Sequence, residues 1–372
     1  MRVGIPKEIK AGEARVAATA ETTRKLVGLH FEVVVEKSAG VASHFTDEAY
    51  VEAGATIVDR EKALGADVVL KVDKPTPDEI AHMKRGAILI SFLDMCYDDG
   101  TWEKLAQAGV NAFGLELIPR LPRAQPMDVL SSQANIGGYR AALEATNLFA
   151  RFFPMMMTSA GSAKAARVVV LGAGVAGLQA LATAKRLGAQ VWGYDVRPEV
   201  KEQVESLGAK FIDLSIGETG EGKGGYAKAL SAEAQEKEQH LLAEELKKAD
   251  VIISTAMIPC RPAPVLITEE AVRGMRAGSV VIDMAAATGG NCPLTEADKT
   301  VIRHGVIICG FTNFPALMPT DASSFYSRNL FNLLSLLVDA GGEDIDLKRC
   351  LDDDIVACSL VTLDGKLRYQ DN

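Results

Sequence analysis

Long apolar segments are missing from this sequence of 372 residues. A helix that crosses a bilayer needs about 20 consecutive apolar residues, and the most apolar stretch, around Phe152–Met157, is far shorter. The initial segment MRVGIPKEIK leads directly into a strand pattern and lacks the layout of a signal peptide. We therefore expect a cytoplasmic chain that reaches a membrane only through a partner.

Metal-ligand patterns and excess positive charge are also missing. The six cysteines include no CxxC pair and, with only five histidines, form no metal-binding spacing, so no metal site is expected. We expect the thiols to be reduced and buried. The net charge of −9 disfavours nucleic acid as the main partner. The length is sufficient for two domains of ordinary size.

The segment Ala166–Asp195 carries the clearest motif. An apolar strand pattern at Val168–Leu171 runs into GAGVAG at 172–177, and a helical pattern then extends to Leu187. A second strand pattern ends at Asp195, which lies 195 − 177 = 18 residues after the last glycine. This order predicts a dinucleotide-binding βαβ unit. The alternative is a glycine-rich turn in another kind of α/β protein.

The glycines have different predicted tasks. Gly172 allows a tight turn, Gly174 lets a pyrophosphate approach the backbone, and Gly177 lets the helix pack close to the strand. Val175 and Ala176 begin the helix, whose free N–H groups and dipole favour phosphate.

Asp195 favours NAD over NADP, because a carboxylate binds the ribose hydroxyls and disfavours a 2′-phosphate. Val196 and Arg197 complete this region of the predicted site. Arg197 weakens the preference for NAD, since a guanidinium can hold a phosphate. The alternative that we favour is an exposed Arg197 paired with Glu199 or another nearby acid.

Residues 1–120 alternate strand and helix patterns, which predicts a mostly parallel sheet. Thr19 and Thr46 are expected to cap helices. No phosphate loop occurs here, so this unit is not expected to hold a dinucleotide alone. The predicted strands are Arg2–Ile5, Phe31–Glu36, Val68–Val72, Ala87–Phe92 and Asn111–Leu115.

The stretch ELIPRLPRAQPMDVLSSQAN at 116–135 breaks this rhythm with three prolines. It predicts a domain junction beside a cleft, where ligands commonly bind. The polar residues of interest are Arg120, Gln125, Asp128 and Ser131. In the alternative interpretation this is a polar linker, in which Asp128 or Ser131 caps the next helix.

A glycine-rich loop at 215–228 follows the next strand and helix patterns of the second unit. Tyr226, beside Gly225, could act as a lid on a bound ligand. Equally, the loop could be a flexible surface segment with an incidental tyrosine. Thr255 and Ala256 follow a predicted strand at its carboxyl end, where ligands of open α/β sheets bind.

An apolar pattern at 320–339 predicts a helix, which Thr320 or Asp321 could cap. Asp364–Gly365 predicts a hairpin. We expect both elements to belong to the first domain. We therefore predict two doubly wound, Rossmann-like α/β domains with mostly parallel sheets, separated by a cleft. The predicted domains are a discontinuous one at 1–128 plus 320–372 and an NAD(H)-binding one at 129–319.

Nearly the full length of the sequence resembles domain I of proton-translocating nicotinamide nucleotide transhydrogenase. Domain I is the NAD(H)-binding alpha subunit of that enzyme and is related to alanine dehydrogenase. The matching stretches are IPKE, GEARVA, ELIPRLPRAQPMDVLSSQAN, FFPMMMTSAG, GAGVAGLQALATAKRLGA, YDVR, KEQVESLGAKF, GGYAK, RPAPVLITEE and GGNCPL.

The resemblance implies a homodimer that docks on an NADP(H)-binding domain and on a membrane-spanning subunit that carries out proton translocation. It implies an NAD(P)+ transhydrogenase, Re/Si-specific and active only with its partner, in which hydride passes directly between NAD(H) and NADP(H). It also implies a location at the inner face of the membrane. The family's membrane helices and NADP-binding domain are absent from this sequence, which implies either split subunits or a fragment.

Residue by residue, Arg120 and Asp128 match residues that hold the nicotinamide carboxamide in that family. Gln125 matches a glutamine that reaches toward both nucleotides, and Ser131 matches a further nicotinamide contact. Tyr226 matches the tyrosine of a loop that closes over the nucleotide. Hydride transfer between nicotinamides needs no acid–base residue, so Gln125, Arg120 and Asp128 are expected to act by orientation.

Two other functions compete with this interpretation. Alanine dehydrogenase needs a substrate lysine and a catalytic histidine, and this chain has Asp73 and Asp94 where that family has them, although Lys71 and Arg15 remain. The second competitor is a non-catalytic NAD-binding module that senses nucleotide and binds a protein partner.

Overall fold

The computed structural model describes residues 1–96, 99–214, 231–338 and 345–368. The chain forms two compact units, one from Met1–Gln133 with Pro315–Asn372 and one from Ala134–Phe314. Within the described ranges, no helix combines the length and the apolar character that a membrane span requires.

The first unit is built on a six-stranded parallel sheet in the order β3-β2-β1-β4-β5-β6. This is the doubly wound order, in which the chain moves outward from β1 and then crosses back to β4. The five predicted strands are confirmed, and the short, half-exposed β3 is an addition. The strands are β1 (Arg2–Ile5), β2 (Glu32–Glu36), β3 (Thr56–Val58), β4 (Val68–Leu70), β5 (Ile88–Ser91) and β6 (Asn111–Gly114).

Five helices connect these strands. Thr19 forms a capping box with Thr22 at the start of α1, and the Thr46 side chain accepts the N–H of Ala49 at the start of α2, as predicted. The helices are α1 (Ala20–Gly28), α2 (Asp47–Glu52), α3 (Arg60–Leu64), α4 (Pro77–His82) and α5 (Thr101–Ala108).

The boundary between the units falls within α6 (Val129–Leu148). The second unit contains β7 (Met156–Thr158), β8 (Gly161–Ala163), β9 (Arg167–Leu171), α7 (Val175–Arg186), β10 (Gln190–Tyr194), α8 (Lys201–Ser206), β11 (Lys210–Phe211) and α9 (Ala232–Leu246). It continues with β12 (Val251–Ser254), α10 (Glu269–Gly274), β13 (Val280–Asp283), β14 (Thr300–Arg303) and β15 (Val306–Cys309).

The second sheet has the order β11-β10-β9-β12-β13-β15-β14, and all its pairs are parallel except β14 with β15. The predicted fold class of two Rossmann-like α/β domains with mostly parallel sheets is therefore confirmed. The edge strand β14 and the exposed hairpin β7–β8 were not predicted, because these strands are short and largely exposed.

The remaining elements complete the first unit. They are α11 (Pro319–Leu337), α12 (Leu347–Cys350), α13 (Asp354–Ser359), β16 (Thr362–Leu363) and β17 (Lys366–Leu367). The predicted hairpin is confirmed, since Asp364 and Gly365 both have positive φ, at 50° and 79°. The prediction that Thr320 or Asp321 caps α11 is wrong, because the helix begins one residue earlier with Pro319 and has no side-chain cap.

The central strands β9, β12 and β13 are buried along most or all of their length, because helices cover both faces of the sheet. The expectation of reduced, buried thiols is only partly correct. Cys292 and Cys309 are free and buried, Cys350 is free and half-buried, and Cys358 is free and exposed, whereas Cys96 and Cys260 are not free thiols.

Candidate functional site

The candidate site of the second unit lies at the carboxyl ends of β9 and β12. These strands are neighbours, while the chain leaves β9 toward β10 on the other side, so this is the topological switch point of the sheet. Gly172 follows β9 and Thr255 follows β12. The Thr255 hydroxyl donates a 3.0 Å hydrogen bond to the carbonyl oxygen of Gly172, which joins the two strand ends.

Sterics distinguish the three glycines of the turn. Gly172 has φ 87°, in the left-handed region that favours glycine. A Cβ on Gly177 would lie 1.8 Å from the carbonyl oxygen of Gly172, so no side chain fits between α7 and the turn. A Cβ on Gly174 would meet nothing within 4 Å. The backbone at Gly174 therefore borders open space, where a bound group has room to approach.

The amino terminus of α7 faces this open space. The helix begins at Val175, which is 39% exposed, and continues through the half-buried Ala176. The first N–H groups of a helix have no carbonyl partner within it, and the helix dipole adds partial positive charge. Together with the absent side chain of Gly174, these donors fit a phosphate group.

Asp195 follows β10, and its carboxylate accepts four hydrogen bonds. One oxygen accepts the backbone N–H of Ala173 at 2.7 Å and Nη2 of Arg197 at 2.8 Å. The other accepts the backbone N–H and Nε of Arg197, both at 2.9 Å. The glycine turn and the acid at the end of the next strand are thus directly bonded.

The favoured interpretation of Arg197 is correct in its pairing with a nearby acid, which is Asp195, and wrong in its exposure. Arg197 is buried, with 7% exposure. The hydrogen bond to Asp195 raises the pKa of the guanidinium further. An Asx-type turn, in which the carboxylate accepts the N–H two residues on, folds the arginine back over the acid. Val196, between them, packs against the apolar core of the unit.

Tyr194 and Glu238 form a second buried polar pair beside this acid. The Tyr194 hydroxyl donates a 2.6 Å hydrogen bond to the Glu238 carboxylate, and both residues are 3% exposed. Burial raises the pKa of both groups, and the negative charge of Glu238 raises the pKa of Tyr194 further. No local pattern signals this pair, because its members are 44 residues apart.

Asn291 and Asp283 hold the loops next to Thr255 and Ala256. The Asn291 amide donates to the carbonyl oxygens of Ala256 at 2.9 Å and Pro264 at 2.8 Å. Asp283 accepts the hydroxyl of Thr295 at 2.7 Å and a backbone N–H from Cys292 at 3.1 Å. Asn291 thus fixes the backbone of Ala256 at the edge of the site, and Asp283 fixes the loop that follows Asn291.

The predicted junction residues all belong to the first unit. A 3₁₀ turn at Pro122–Met127 precedes α6, and Gln125 and Arg120 are exposed. Asp128 accepts the N–H of Ser131 at 2.9 Å and its hydroxyl at 2.6 Å, so Asp128 does cap the helix, as the alternative interpretation expects. A carboxylate has about four acceptor positions, so capping leaves Asp128 further capacity.

Gly225 and Tyr226 lie outside the described residues, so the structure does not place them. Within the described residues, no group of three or more His, Cys, Asp or Glu side chains is arranged to hold a metal ion. A cavity of about 400 Å³ opens at the amino ends of the strands of the first unit. It contains none of the predicted site residues, and Lys84 and Lys348 on its wall are already paired with Asp67 and Asp364.

Comparison with known families accounts for both halves of the chain. Residues 4–137 match the N-terminal domain of alanine dehydrogenase/PNT, and residues 141–370 match its C-terminal domain. The chain belongs to the alanine dehydrogenase/PNT family.

Members of the alanine dehydrogenase/PNT family with two different names are similar to this chain. The first portion of a divided NAD(P) transhydrogenase subunit alpha, from Rhodospirillum rubrum, is 50% identical over 376 aligned residues, which cover 99% of this chain and 97% of that protein. The crystal structure of transhydrogenase from Sinorhizobium meliloti has a TM-score of 0.89 at 42% identity, covering 99% of this chain and 100% of that one. Alanine dehydrogenase 1 of Staphylococcus aureus is 32% identical and covers 92% of this chain and 89% of its own length.

Lys71 and Arg15 are the two cations that an alanine dehydrogenase activity would need for its substrate carboxylate. Lys71 is 1% exposed and pairs with Glu8 at 3.0 Å and Glu79 at 2.9 Å, and Arg15 pairs with Glu13 at 2.6 Å. Both cations are therefore already neutralised within the first unit. A carboxylate substrate would have to displace these buried acids to reach either one.

Asp73 and Asp94, the two acids expected at the positions of the lysine and histidine of alanine dehydrogenase, also have ionic partners. Asp73 pairs with Lys10 at 3.1 Å, and Asp94 pairs with Lys74 at 3.5 Å.

Proposed function

We propose that this protein is the NAD(H)-binding component of a proton-translocating transhydrogenase. The observation that carries the proposal is the full-length similarity, at 50% identity, to an NAD(P) transhydrogenase alpha subunit. The glycine turn and Asp195 in the second unit support it independently, since they suit NAD(H). We assign NAD(H) binding to the domain at 129–319 and the discontinuous domain to 1–128 plus 320–372.

One end of NAD(H) is assigned to the second unit. Gly172, Gly174 and Gly177, with the first N–H groups of α7 at Val175 and Ala176, hold the pyrophosphate. Asp195, with its neighbours Val196 and Arg197, receives the adenosine ribose. Thr255 and Ala256 border the same strand ends and contact the nucleotide.

The nicotinamide end is assigned to the junction segment. Arg120 and Asp128 hold the carboxamide, which fixes the rotation of the ring, and Ser131 adds a contact. Gln125 reaches toward both nucleotides. Gly225 and Tyr226 cover the bound nucleotide and exclude water.

The reaction is direct, Re/Si-specific hydride transfer between NAD(H) and NADP(H). No proton has to be moved by a side chain at the reacting carbons, so the chain contributes orientation and a dry environment. Positioning of two reactants can supply about 7–11 kcal/mol of rate enhancement. Such a site needs rigid polar contacts rather than a catalytic histidine or cysteine.

The proposal requires partners. NADP(H) is bound by a separate domain, and a membrane-spanning subunit couples hydride transfer to proton translocation. The chain itself forms a homodimer and lies at the inner face of the membrane only through these subunits. Light scattering of the purified chain tests the dimer, and a monomer at micromolar concentration would contradict it.

The proposal is tested by mixing the chain with the NADP(H)-binding domain of a transhydrogenase and NADH plus an NADP⁺ analogue. We expect NADH oxidation only when both proteins are present. Gln125→Asn should slow this exchange by more than tenfold while changing NADH affinity less than threefold, about the separation expected for an orienting group. Equal losses in rate and affinity would remove the orienting role.

An alanine dehydrogenase activity is the second candidate, favoured by the 32% identity to such an enzyme. It would need Lys71 or Arg15 to release its acid partner and bind the substrate carboxylate. The test is NADH formation from NAD⁺ and L-alanine by the isolated chain. We expect none, and measurable turnover would favour this candidate over transhydrogenation.

A further inference from the structure

The carboxylate of Asp195 has no spare hydrogen-bonding capacity. A carboxylate offers about four acceptor positions. Backbone N–H groups of Ala173 and Arg197 fill two, and Nε and Nη2 of the Arg197 guanidinium fill the others. A ribose hydroxyl can therefore bond to Asp195 only if one of these donors leaves.

The guanidinium is the donor that can move. Ala173 is fixed within the glycine turn, and the backbone N–H of Arg197 is held by the Asx-type turn at the end of β10. The Arg197 side chain, in contrast, is joined through rotatable bonds. The exchange of a guanidinium for ribose hydroxyls would leave Arg197 next to the ribose, where a 2′-phosphate would lie in NADP(H).

We propose that Arg197 is a specificity-determining residue, a 2′-phosphate-binding group that Asp195 holds in a neutral pair. The inference rests on the proposed function, because it takes Asp195 to face the adenosine ribose. Discrimination against NADP(H) then depends on the competition between Asp195 and the 2′-phosphate for one guanidinium.

The geometry explains why Asp195 wins this competition. The pair is bidentate and nearly closed to solvent, with side-chain exposures of 9% for Arg197 and 4% for Asp195. Bidentate arginine–carboxylate pairs are among the strongest hydrogen-bonded contacts, and burial reduces their screening by salt. Ribose hydroxyls can replace some contacts of this pair without adding charge, whereas a 2′-phosphate brings a second anion to a guanidinium that Asp195 already neutralises.

The test measures dissociation constants for NADH and NADPH with the full chain in four forms: wild type, Asp195→Asn, Arg197→Met, and the double variant. We expect the wild type to prefer NADH. Asp195→Asn should bind NADH about tenfold more weakly and NADPH about tenfold more tightly, as charge-assisted hydrogen bonds are exchanged. The double variant should lose the gain in NADPH affinity.

Thermal unfolding of each variant checks that it is folded, and Asp195→Ser replaces Asp195→Asn if that variant is not. A gain in NADPH affinity that survives Arg197→Met would overturn the inference, and so would the absence of any gain in Asp195→Asn. Failure of the wild type to bind NADH would instead refute the proposed function. The two failures are therefore distinguishable.

Discussion

The backbone N–H of Ala173 donates a 2.7 Å hydrogen bond to the carboxylate of Asp195. Ala173 lies inside the glycine turn after β9, and Asp195 lies at the end of β10, 22 residues later. This contact joins the proposed phosphate-binding turn to the proposed ribose-binding acid. Substitutions in the turn can separate effects on nucleotide binding from effects on folding, because Gly174 borders open space whereas Gly177 borders backbone.

Gly174→Ala should leave the fold intact and weaken NADH binding. The added Cβ meets no atom of the protein within 4 Å, so the free energy of unfolding should change by less than about 0.5 kcal/mol. The methyl group occupies the space assigned to the pyrophosphate, so we expect the dissociation constant for NADH to rise at least tenfold. Titration calorimetry and urea unfolding measure the two quantities.

Gly28→Ala is the matched control for Gly174→Ala. A Cβ at Gly28, at the end of α1 in the first unit, also meets nothing within 4 Å. It should change neither NADH affinity nor stability appreciably. Unaltered NADH affinity in Gly174→Ala would show that the nucleotide does not approach this turn.

Gly177→Ala should behave in the opposite way and damage the fold itself. Its Cβ would lie 1.8 Å from the carbonyl oxygen of Gly172, so the helix or the turn must shift. Overpacking of this kind costs about 1–3 kcal/mol. Urea unfolding should show a loss in this range relative to Gly174→Ala, and a variant as stable as the wild type would contradict the close approach.

Much of the fold follows from local sequence signals. Three features depend on residues that are close together in the chain. They are the path from β9 through the glycine turn to α7, the helix caps at Thr19 and Thr46, and the Asp364–Gly365 hairpin. Strands with a continuous apolar run were also predicted correctly. The strands β3, β14 and the β7–β8 hairpin were missed because they are short and largely exposed.

Contacts that depend on tertiary structure could not be predicted from the sequence. Arg197 has an acid two residues before it and another two after it, and only the turn after β10 decides between Asp195 and Glu199. Tyr194, at the end of β10, and Glu238, on α9, are hydrogen-bonded although they are 44 residues apart, which no local pattern predicts. The burial of Lys71 depends on two acids from elsewhere in the first unit.

Glu238→Gln should remove a pH dependence of stability. Burial raises the pKa of Glu238 above its ordinary value of 4.5, so the stabilising protonated form is fully present below that value and is lost as pH rises through the raised pKa. Glutamine keeps an acceptor for Tyr194 without the buried charge. At pH 7–8 we expect the variant to be more stable than the wild type, and this gain should shrink toward pH 5.

Urea unfolding at a series of pH values measures this effect. Glu236→Gln, a change at an exposed glutamate on the same helix, is the control for removing a carboxylate from α9. If the stabilities of the wild type and Glu238→Gln vary with pH in the same way, burial does not raise the pKa of the Glu238 carboxyl group.

Lys71→Met should destabilise the first unit strongly. The substitution leaves the buried Glu8 carboxylate with one hydrogen-bond donor among the described residues, the backbone N–H of Val72 at 2.6 Å. Glu79 still has its ion pair with Arg60 at 2.6 Å. Removing one partner of a buried ion pair costs about 3–5 kcal/mol. Chemical unfolding measures the loss, and Lys7→Met, at an exposed lysine, should be close to neutral.

Adding Glu8→Gln to Lys71→Met should restore some of that loss, because it removes the uncompensated charge. If the double variant is no more stable than Lys71→Met, the loss arises from packing instead. In that case Lys71 is not held by Glu8, and its neutralisation no longer argues against a substrate carboxylate.

The proposed function depends on hydride passing directly from NADH on this chain to NADP⁺ on a partner. An isotope experiment follows that hydride: NADH deuterated at the transferable C4 position of the nicotinamide is mixed with the chain, the NADP(H)-binding domain and NADP⁺ in ordinary water. We predict that the deuterium is recovered at C4 of NADPH, as mass spectrometry or proton NMR can detect. Loss of the label to solvent, or no NADPH at saturating partner, would contradict direct transfer.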